Sequence, residues 1–250
     1  MTLLSITEEK NTEMKEQKPI KEVMDINVPD IPEGISRRNG AIYLLVGSGG
    51  SGKSSLLLGQ FKRGGAYYKK FHNVYYFVPS ASFASVQNHP FEKHERVYHE
   101  MTQDGLSELH DELLDRKNEN IEEENEAEYN AVVIDDFAND LKDKNIVKAL
   151  NRMLIKARHL NTTFIFTLQS YLYMPKILRK QITYATIFRP RNSEEWDTIR
   201  REILQMKEED AKKLFDYVFD APYMHLDVDA FDNKFYKNFN LLRLNTNDVI

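Results

Sequence analysis

The sequence contains no cysteine. That excludes disulfide bridges and cysteine-based metal sites, and it fits an intracellular setting. Long apolar runs are missing as well, since no stretch approaches the roughly 18 residues that a membrane span requires. Residues 1–21 alternate charged and polar side chains without an apolar segment, so neither a secretory leader nor a membrane partner is expected. Positive charge is not in excess: 34 Lys and Arg stand against 39 Asp and Glu, a formal net charge of −5. Such a balance does not suit a surface that coats nucleic acid everywhere, but it permits a local basic patch. No internal repeat is visible.

What is present is an ordinary globular composition, 41% hydrophobic and 29% charged over 250 residues. Residues 1–38 read as a flexible N-terminal arm and linker, the latter Val28-Pro29-Asp30-Ile31-Pro32-Glu33-Gly34, because each proline pushes its predecessor out of helix. Residues 39–250 read as the folded domain, with a helical and hairpin extension from about residue 190.

Short apolar runs alternate with helical patterns across this domain. Strands are expected at Ala41 to Val46, Val74 to Val78, Ala131 to Ile134, Thr163 to Leu168 and Thr183 to Phe188. Helices are expected from Lys53 to Phe61, around Leu106, Leu109 and Leu113, and along Ile146, Leu150, Met153, Leu154 and Ala157. This alternation predicts an α/β fold with a mostly parallel central sheet flanked by helices. Between them, Glu119 to Glu128 reads as a solvated acidic connector. Beyond Pro190 the spacing predicts a helix capped by Asn192 with Glu195 at its third position, then one holding Leu214, Phe215 and Val218. Tyr223 to Val228 and Phe235 to Leu244 form a hairpin around Asp232-Asn233.

Gly47-Ser48-Gly49-Gly50-Ser51-Gly52-Lys53-Ser54 fits G-x-x-x-x-G-K-[ST] at every fixed position, with an apolar strand before and a helix after. Glycines let successive backbone N–H groups cradle phosphate oxygens, and the helix adds its positive N-terminal end. Lys53 is the partner for the β- and γ-phosphates, Ser54 a magnesium ligand, and Ser55 the next residue of the same cradle. ATP and Mg2+ are therefore the expected ligands.

Asp135-Asp136 closes the strand from Ala131, where an open α/β sheet presents residues to its ligand crevice. Asp135 reads as a metal holder or a helix N-cap. Asp136 reads as the general base that orients the attacking water, or as a residue without a chemical role. Gln169 ends the following strand and reads as a sensor of the γ-phosphate, or as a turn residue. Arg158 and Arg179 are candidates for an arginine finger reaching a neighbouring subunit, with cationic helix C-capping as the competing role. Lys62, Arg63, Lys69 and Lys70, interleaved with Tyr67 and Tyr68, form either a nucleic-acid patch or a solvated surface. His72, His89, His94, His99 and His110 lack metal-ligand spacing and read as scattered surface residues.

Together, Gly47 to Ser54, Ala131-Val132-Val133-Ile134-Asp135-Asp136, Ala157-Arg158-His159-Leu160-Asn161, Thr167-Leu168-Gln169-Ser170, the Ile177-Leu178-Arg179-Lys180 segment and the terminal Phe235-Tyr236-Lys237-Asn238-Phe239 resemble the poxvirus-type genome-packaging ATPases of large double-stranded DNA viruses and virophages, a branch of the FtsK/HerA superfamily. The resemblance implies a P-loop NTPase of the additional-strand ASCE type, with an extra strand between the Walker A and Walker B strands. It further implies a homo-oligomeric ring, of six subunits or five, that translocates double-stranded DNA into a preformed capsid. The partners implied are that DNA and a capsid or portal-vertex protein, and the setting the host-cell cytoplasm at the viral factory, and the virion. The superfamily more often has Asp-Glu where this chain has Asp135-Asp136. Two other classes share the P-loop, a small-molecule or nucleotide kinase and a nucleotide-dependent assembly protein with little turnover. The Asp136 and Gln169 pair argues against the kinase.

Overall fold

The computed structural model describes residues 27–244. The polar arm expected up to Lys21 lies outside these residues. Among the described residues nine strands form one sheet: β1 (Ile42–Val46), β2 (Asn73–Phe77), β3 (Val97–Tyr98), β4 (Asn130–Asp135), β5 (Thr162–Leu168), β6 (Tyr184–Phe188), β7 (His225–Asp229), β8 (Lys234–Lys237) and β9 (Asn240–Leu242). Their order is β3-β2-β4-β5-β1-β6-β7-β8-β9. The first six in this order are parallel and the last three join antiparallel. The fold is the expected mostly parallel α/β sheet, and β5 is the additional strand between β1 and β4.

The helices are α1 (Lys53–Phe61), α2 (Ser80–Ala84), α3 (Gln103–Glu122), α4 (Lys144–Ile155), α5 (Lys176–Arg179), α6 (Ser193–Ile199) and α7 (Glu208–Val218), with a π-turn at Arg200–Leu204 prolonging α6. Period-two alternation divides the sheet's side chains between two cores. Ile42, Leu44 and Val46 of β1 and Val132 and Ile134 of β4 face the cluster that also holds Leu106, Leu150 and Leu214 of the helices. Tyr43, Leu45, Ala131 and Val133 face the other cluster, with Leu57 and Leu58 of α1. Both faces are thus covered, which is why these strands read as continuous apolar runs.

Several expectations change in detail. Val28, Ile31 and Ile35, read as part of an extended linker, are buried in the α1-side cluster, so apolar burial docks this segment onto the domain. The acidic connector is exposed as expected, but its first residues, through Glu122, continue α3. Leu106, Leu109, His110 and Leu113 form the buried stripe of that helix. The terminal hairpin is a three-stranded meander: Asn238 (φ 47°) and Phe239 (φ 67°) turn the chain again between β8 and β9. Two consecutive positive φ values suit the tight turn whose twist matches a hairpin. Through β7, which pairs with β6, this meander continues the central sheet.

Asn192 caps α6 as expected, accepting from Glu195 N at 2.7 Å. The Glu195 carboxylate does not return to the cap. It accepts from Tyr171 N at 2.6 Å and ties α6 to the segment after β5. Among the described residues no helix is long and apolar enough to cross a membrane.

Candidate functional site

In this sheet the C-terminal ends of β1, β4, β5 and β6 share one edge, where a parallel α/β sheet opens its ligand crevice. The loop from Gly47 to Gly52 leaves β1 there, anchored to the neighbouring strand by Gly47 N donating to Leu168 O at 3.1 Å. Gly47 has no room for a side chain, because a Cβ would lie 2.6 Å from that of Phe188. Gly52, which precedes α1, has φ 100°, a conformation open to glycine. Gly49 and Gly50 face open space, with no atom within 4 Å of an added Cβ. The loop is therefore uncrowded at Gly49 and Gly50.

Lys53 begins α1 and folds back over this loop, its Nζ donating to Ser48 O at 3.2 Å. Burial lowers its pKa from the ordinary lysine range, while Asp136 and Asp135 pull the other way. The ammonium thus sits near both carboxylates. Ser54 and Ser55 follow in the first turn of α1, Ser55 exposed. Ser51 N donates to Ser48 O at 3.1 Å and closes the turn.

Asp135 ends β4, is buried, and is held by two hydroxyls. Tyr76 of β2 donates to its Oδ2 at 2.8 Å, and Thr167 of β5 donates to its Oδ1. Thr167 stands opposite Asp135 in the strand register and also accepts from Asp136 N at 3.3 Å. Asp136 has φ 64°, a left-handed backbone that aspartate tolerates better than most residues. Its Oδ1 accepts from Gln169 Nε2 at 3.1 Å and its Oδ2 from Ser82 at 3.3 Å. The site therefore gathers the P-loop, Lys53, Asp135, Asp136 and Gln169 at one sheet edge.

The two arginines lie elsewhere. Arg158 is exposed, between α4 and β5, and its backbone is 2.5 Å from where a Cβ on Gly40 would stand. Gly40 precedes β1 and the P-loop follows it, so the length of a five-residue strand separates them, about 17 Å at about 3.3 Å per residue. Arg179 lies with its Nε 3.2 Å from Glu202 Oε2 and its guanidinium over the Tyr171 ring, 5.1 Å from the centroid. It is tied into its own subunit.

Tyr76, Thr167, Ser82 and Arg191 escaped the sequence reading. Thr167 lies within the Thr-Leu-Gln-Ser segment, but only the β4–β5 register places it opposite Asp135. Ser82 is carried by the short helix α2, which has no apolar periodicity to reveal it. Arg191 follows β6 and its Nη2 donates to Gly49 O at 3.4 Å.

The tyrosine-lysine interleaving does not form a groove of exposed rings. Tyr67 is buried in the α1-side cluster and donates to Ser36 O at 2.7 Å, while Lys70 pairs with Asp30 at 3.3 Å. Lys62, Arg63, Tyr68 and Lys69 remain exposed. Of the histidines read as surface residues, His89 and His110 are buried. His89 sits among the rings of Tyr76, Phe83 and Phe91.

The fold is similar to that of the DNA-packaging ATPase B204 from Sulfolobus Turreted Icosahedral Virus, with 17% identity, a TM-score of 0.59, and 79% of this chain and 96% of that one covered. It is also similar to the genome packaging NTPase B204 from Sulfolobus turreted icosahedral virus 2 in complex with ATP-gammaS, with 18% identity, a TM-score of 0.52, and coverage of 80% and 97%. EssC (ATPases 2 and 3) from Geobacillus thermodenitrificans matches at 16% identity and a TM-score of 0.58, covering 85% of this chain and 42% of that one. At such identities the likeness is one of fold. No curated protein matches the chain significantly. The family model described as Poxvirus A32 protein matches residues 38–219, more than two thirds of the chain, so the chain belongs to the Poxvirus A32 protein family.

Proposed function

We propose that this protein is an ATP-hydrolysing motor that translocates double-stranded viral genomic DNA into a preformed capsid. One observation carries the hydrolytic part: beside an open P-loop, Asp136 is clamped between Gln169 and Ser82. A carboxylate so placed takes a proton from an attacking water, and the Gln169 amide orients that water. Lys53 and the glycine N–H groups hold the phosphates.

Asp135 and Ser54 fit a magnesium ion. The Tyr76 and Thr167 hydroxyls fix the Asp135 carboxylate without neutralising it, so its remaining lone pairs stay available to a cation. Magnesium, when bound, supplies the charge that offsets the triphosphate. Arg158, a strand's length from its own P-loop, reaches nucleotide only across a subunit boundary, which favours a ring of six or five copies. Arg179 acts as a finger only on leaving Glu202.

Translocation of DNA and docking to a capsid or portal-vertex protein, in the host cytoplasm or the virion, are supported by the family and by the fold's likeness to proteins described as packaging ATPases. The test is ATP hydrolysis by the purified protein with and without linear duplex DNA across a range of salt. Stimulation that fades as salt rises is the expected result, since phosphate contacts release counterions. Turnover that needs a small acceptor and ignores DNA overturns the motor in favour of a kinase.

A further inference from the structure

The P-loop and the two carboxylates account for the phosphates of a nucleotide but leave its nucleoside without a seat. The bond that breaks must face Asp135, Asp136 and Gln169, which end β4 and β5. A nucleotide lying across the P-loop with that end toward β5 carries its nucleoside the other way, past β1 toward β6 and β7. On that side the surface opens into a cleft of about 620 Å³. Its lining brings together Ser48 and Gly50 of the P-loop, Arg189 and Arg191 after β6, and Phe219 and Tyr223 of the turn between α7 and β7. The carboxylate on this lining, Asp220, is engaged by Lys237 at 2.7 Å, so it does not repel an anionic ligand unscreened.

Tyr223 is the unusual member. Its ring edge is 3.5 Å from where a Cβ on Gly52 would stand, so it borders the P-loop itself. The side chain is nevertheless 70% exposed. Its backbone has φ 64°, a conformation that a bulky residue adopts rarely and that clusters at ligand clamps. Neighbouring rings are paired, Phe215 with Phe219 at 4.8 Å and Phe188 with His225 at 5.4 Å. Among the described residues Tyr223 has no ring partner. On the same lining, Arg191 reaches Gly49 O at 3.4 Å, which brings a cation to the P-loop.

The geometry points to this cleft as the nucleoside subsite, with the base stacked on the Tyr223 ring and Arg191 beside the phosphate nearest the ribose. The assignment rests on the nucleotide reading of the P-loop. Exposed aromatic faces bind bases by stacking, and removal of one such ring weakens binding about tenfold. Replacing Tyr223 leaves the left-handed backbone as it is, since alanine and phenylalanine also carry a Cβ, and its exposure makes the ring dispensable for the fold.

The experiment is calorimetric titration of the full-length chain, its Tyr223→Ala and Tyr223→Phe variants and Lys53→Ala, each with ATP and with inorganic tripolyphosphate. In parallel, 2-aminopurine riboside triphosphate reports stacking through quenching of its fluorescence. Tyr223→Ala is expected to weaken ATP about tenfold and to lose the quench. Tyr223→Phe should keep both, and tripolyphosphate should bind all three Tyr223 forms equally and Lys53→Ala poorly. Unchanged ATP affinity in Tyr223→Ala, or an equal loss of tripolyphosphate, overturns the subsite while leaving the P-loop reading intact. Wild-type protein that binds neither ligand overturns that reading and the subsite with it.

Discussion

Gln169 Nε2 donates to Asp136 Oδ1 at 3.1 Å, although 33 residues separate the two in the chain. Adjacent parallel strands, β4 and β5, end at the same height and bring them together. The amide holds the carboxylate at the sheet edge. Ser82 approaches the other oxygen, so both are engaged before any ligand arrives.

Asp136→Asn should therefore bind ATP as the parent does and lose turnover by roughly 10²–10⁴-fold, the usual worth of a general base. Steady-state hydrolysis beside a calorimetric binding curve checks this. Normal turnover in the variant would assign the base elsewhere.

Lys53 should impose an alkaline limit on ATP binding. Burial lowers its pKa from the ordinary range, and only the protonated ammonium pairs with phosphate. Affinity is thus full at low pH and declines as pH rises through the lowered pKa, before ordinary lysines near about 10.4 titrate. Binding curves from neutral to alkaline pH test the sign. Affinity that holds until ordinary lysines titrate refutes it, and Lys53→Ala should abolish tight binding at every pH.

Thr167→Val keeps the buried volume of β5 but removes the hydroxyl that reaches both Asp135 and Asp136 N. One lost hydrogen bond to a charged group costs about 1.5–3 kcal/mol, or roughly tenfold or more in an equilibrium. The magnesium concentration needed for half-maximal turnover should rise by that order. An unchanged magnesium requirement would leave Asp135 positioned by Tyr76 alone.

Gly40→Ala should destabilise the fold. Gly40 has φ 72°, and its Cβ would lie 2.5 Å from the backbone of Arg158. Backbone strain and overpacking together cost about 3 kcal/mol. Thermal unfolding should shift down by roughly 6–12 °C. A melting temperature equal to the parent's would show that the α4–β5 turn gives way freely.

Mixing variant with wild-type subunits separates the two arginines. Arg158→Ala subunits mixed with wild type should depress turnover more than dilution predicts, because one defective finger silences its neighbour. Arg179→Ala should instead lower thermal stability through loss of the Glu202 and Tyr171 contacts. Activity proportional to the fraction of intact Arg158 subunits would remove Arg158 from the finger role.

Local and periodic features were readable without a structure. The P-loop is a contiguous pattern whose backbone requirements dictate its glycines. The strands β1, β4 and β5 announce themselves because burial on both faces demands unbroken apolar runs. The ends of those strands pointed to Asp135, Asp136 and Gln169, since the two aspartates follow directly on Ala131 to Ile134 and Gln169 is the first residue past Leu168.

Tertiary structure alone decided whatever depends on register and on which face a residue meets. Tyr76 and Thr167 are ordinary strand residues until β2 and β5 flank β4 and aim their hydroxyls at Asp135. Tyr67 looked like part of a basic surface, but its ring fills the core beside α1. Arg158 and Arg179 stand 21 residues apart (179 − 158), yet the first packs its backbone against Gly40, a strand's length from the P-loop, and the second pairs with Glu202. Sequence patterns encode period and burial, which act within one element. Pairings between elements come from packing the whole chain around one sheet, and no local pattern carries them.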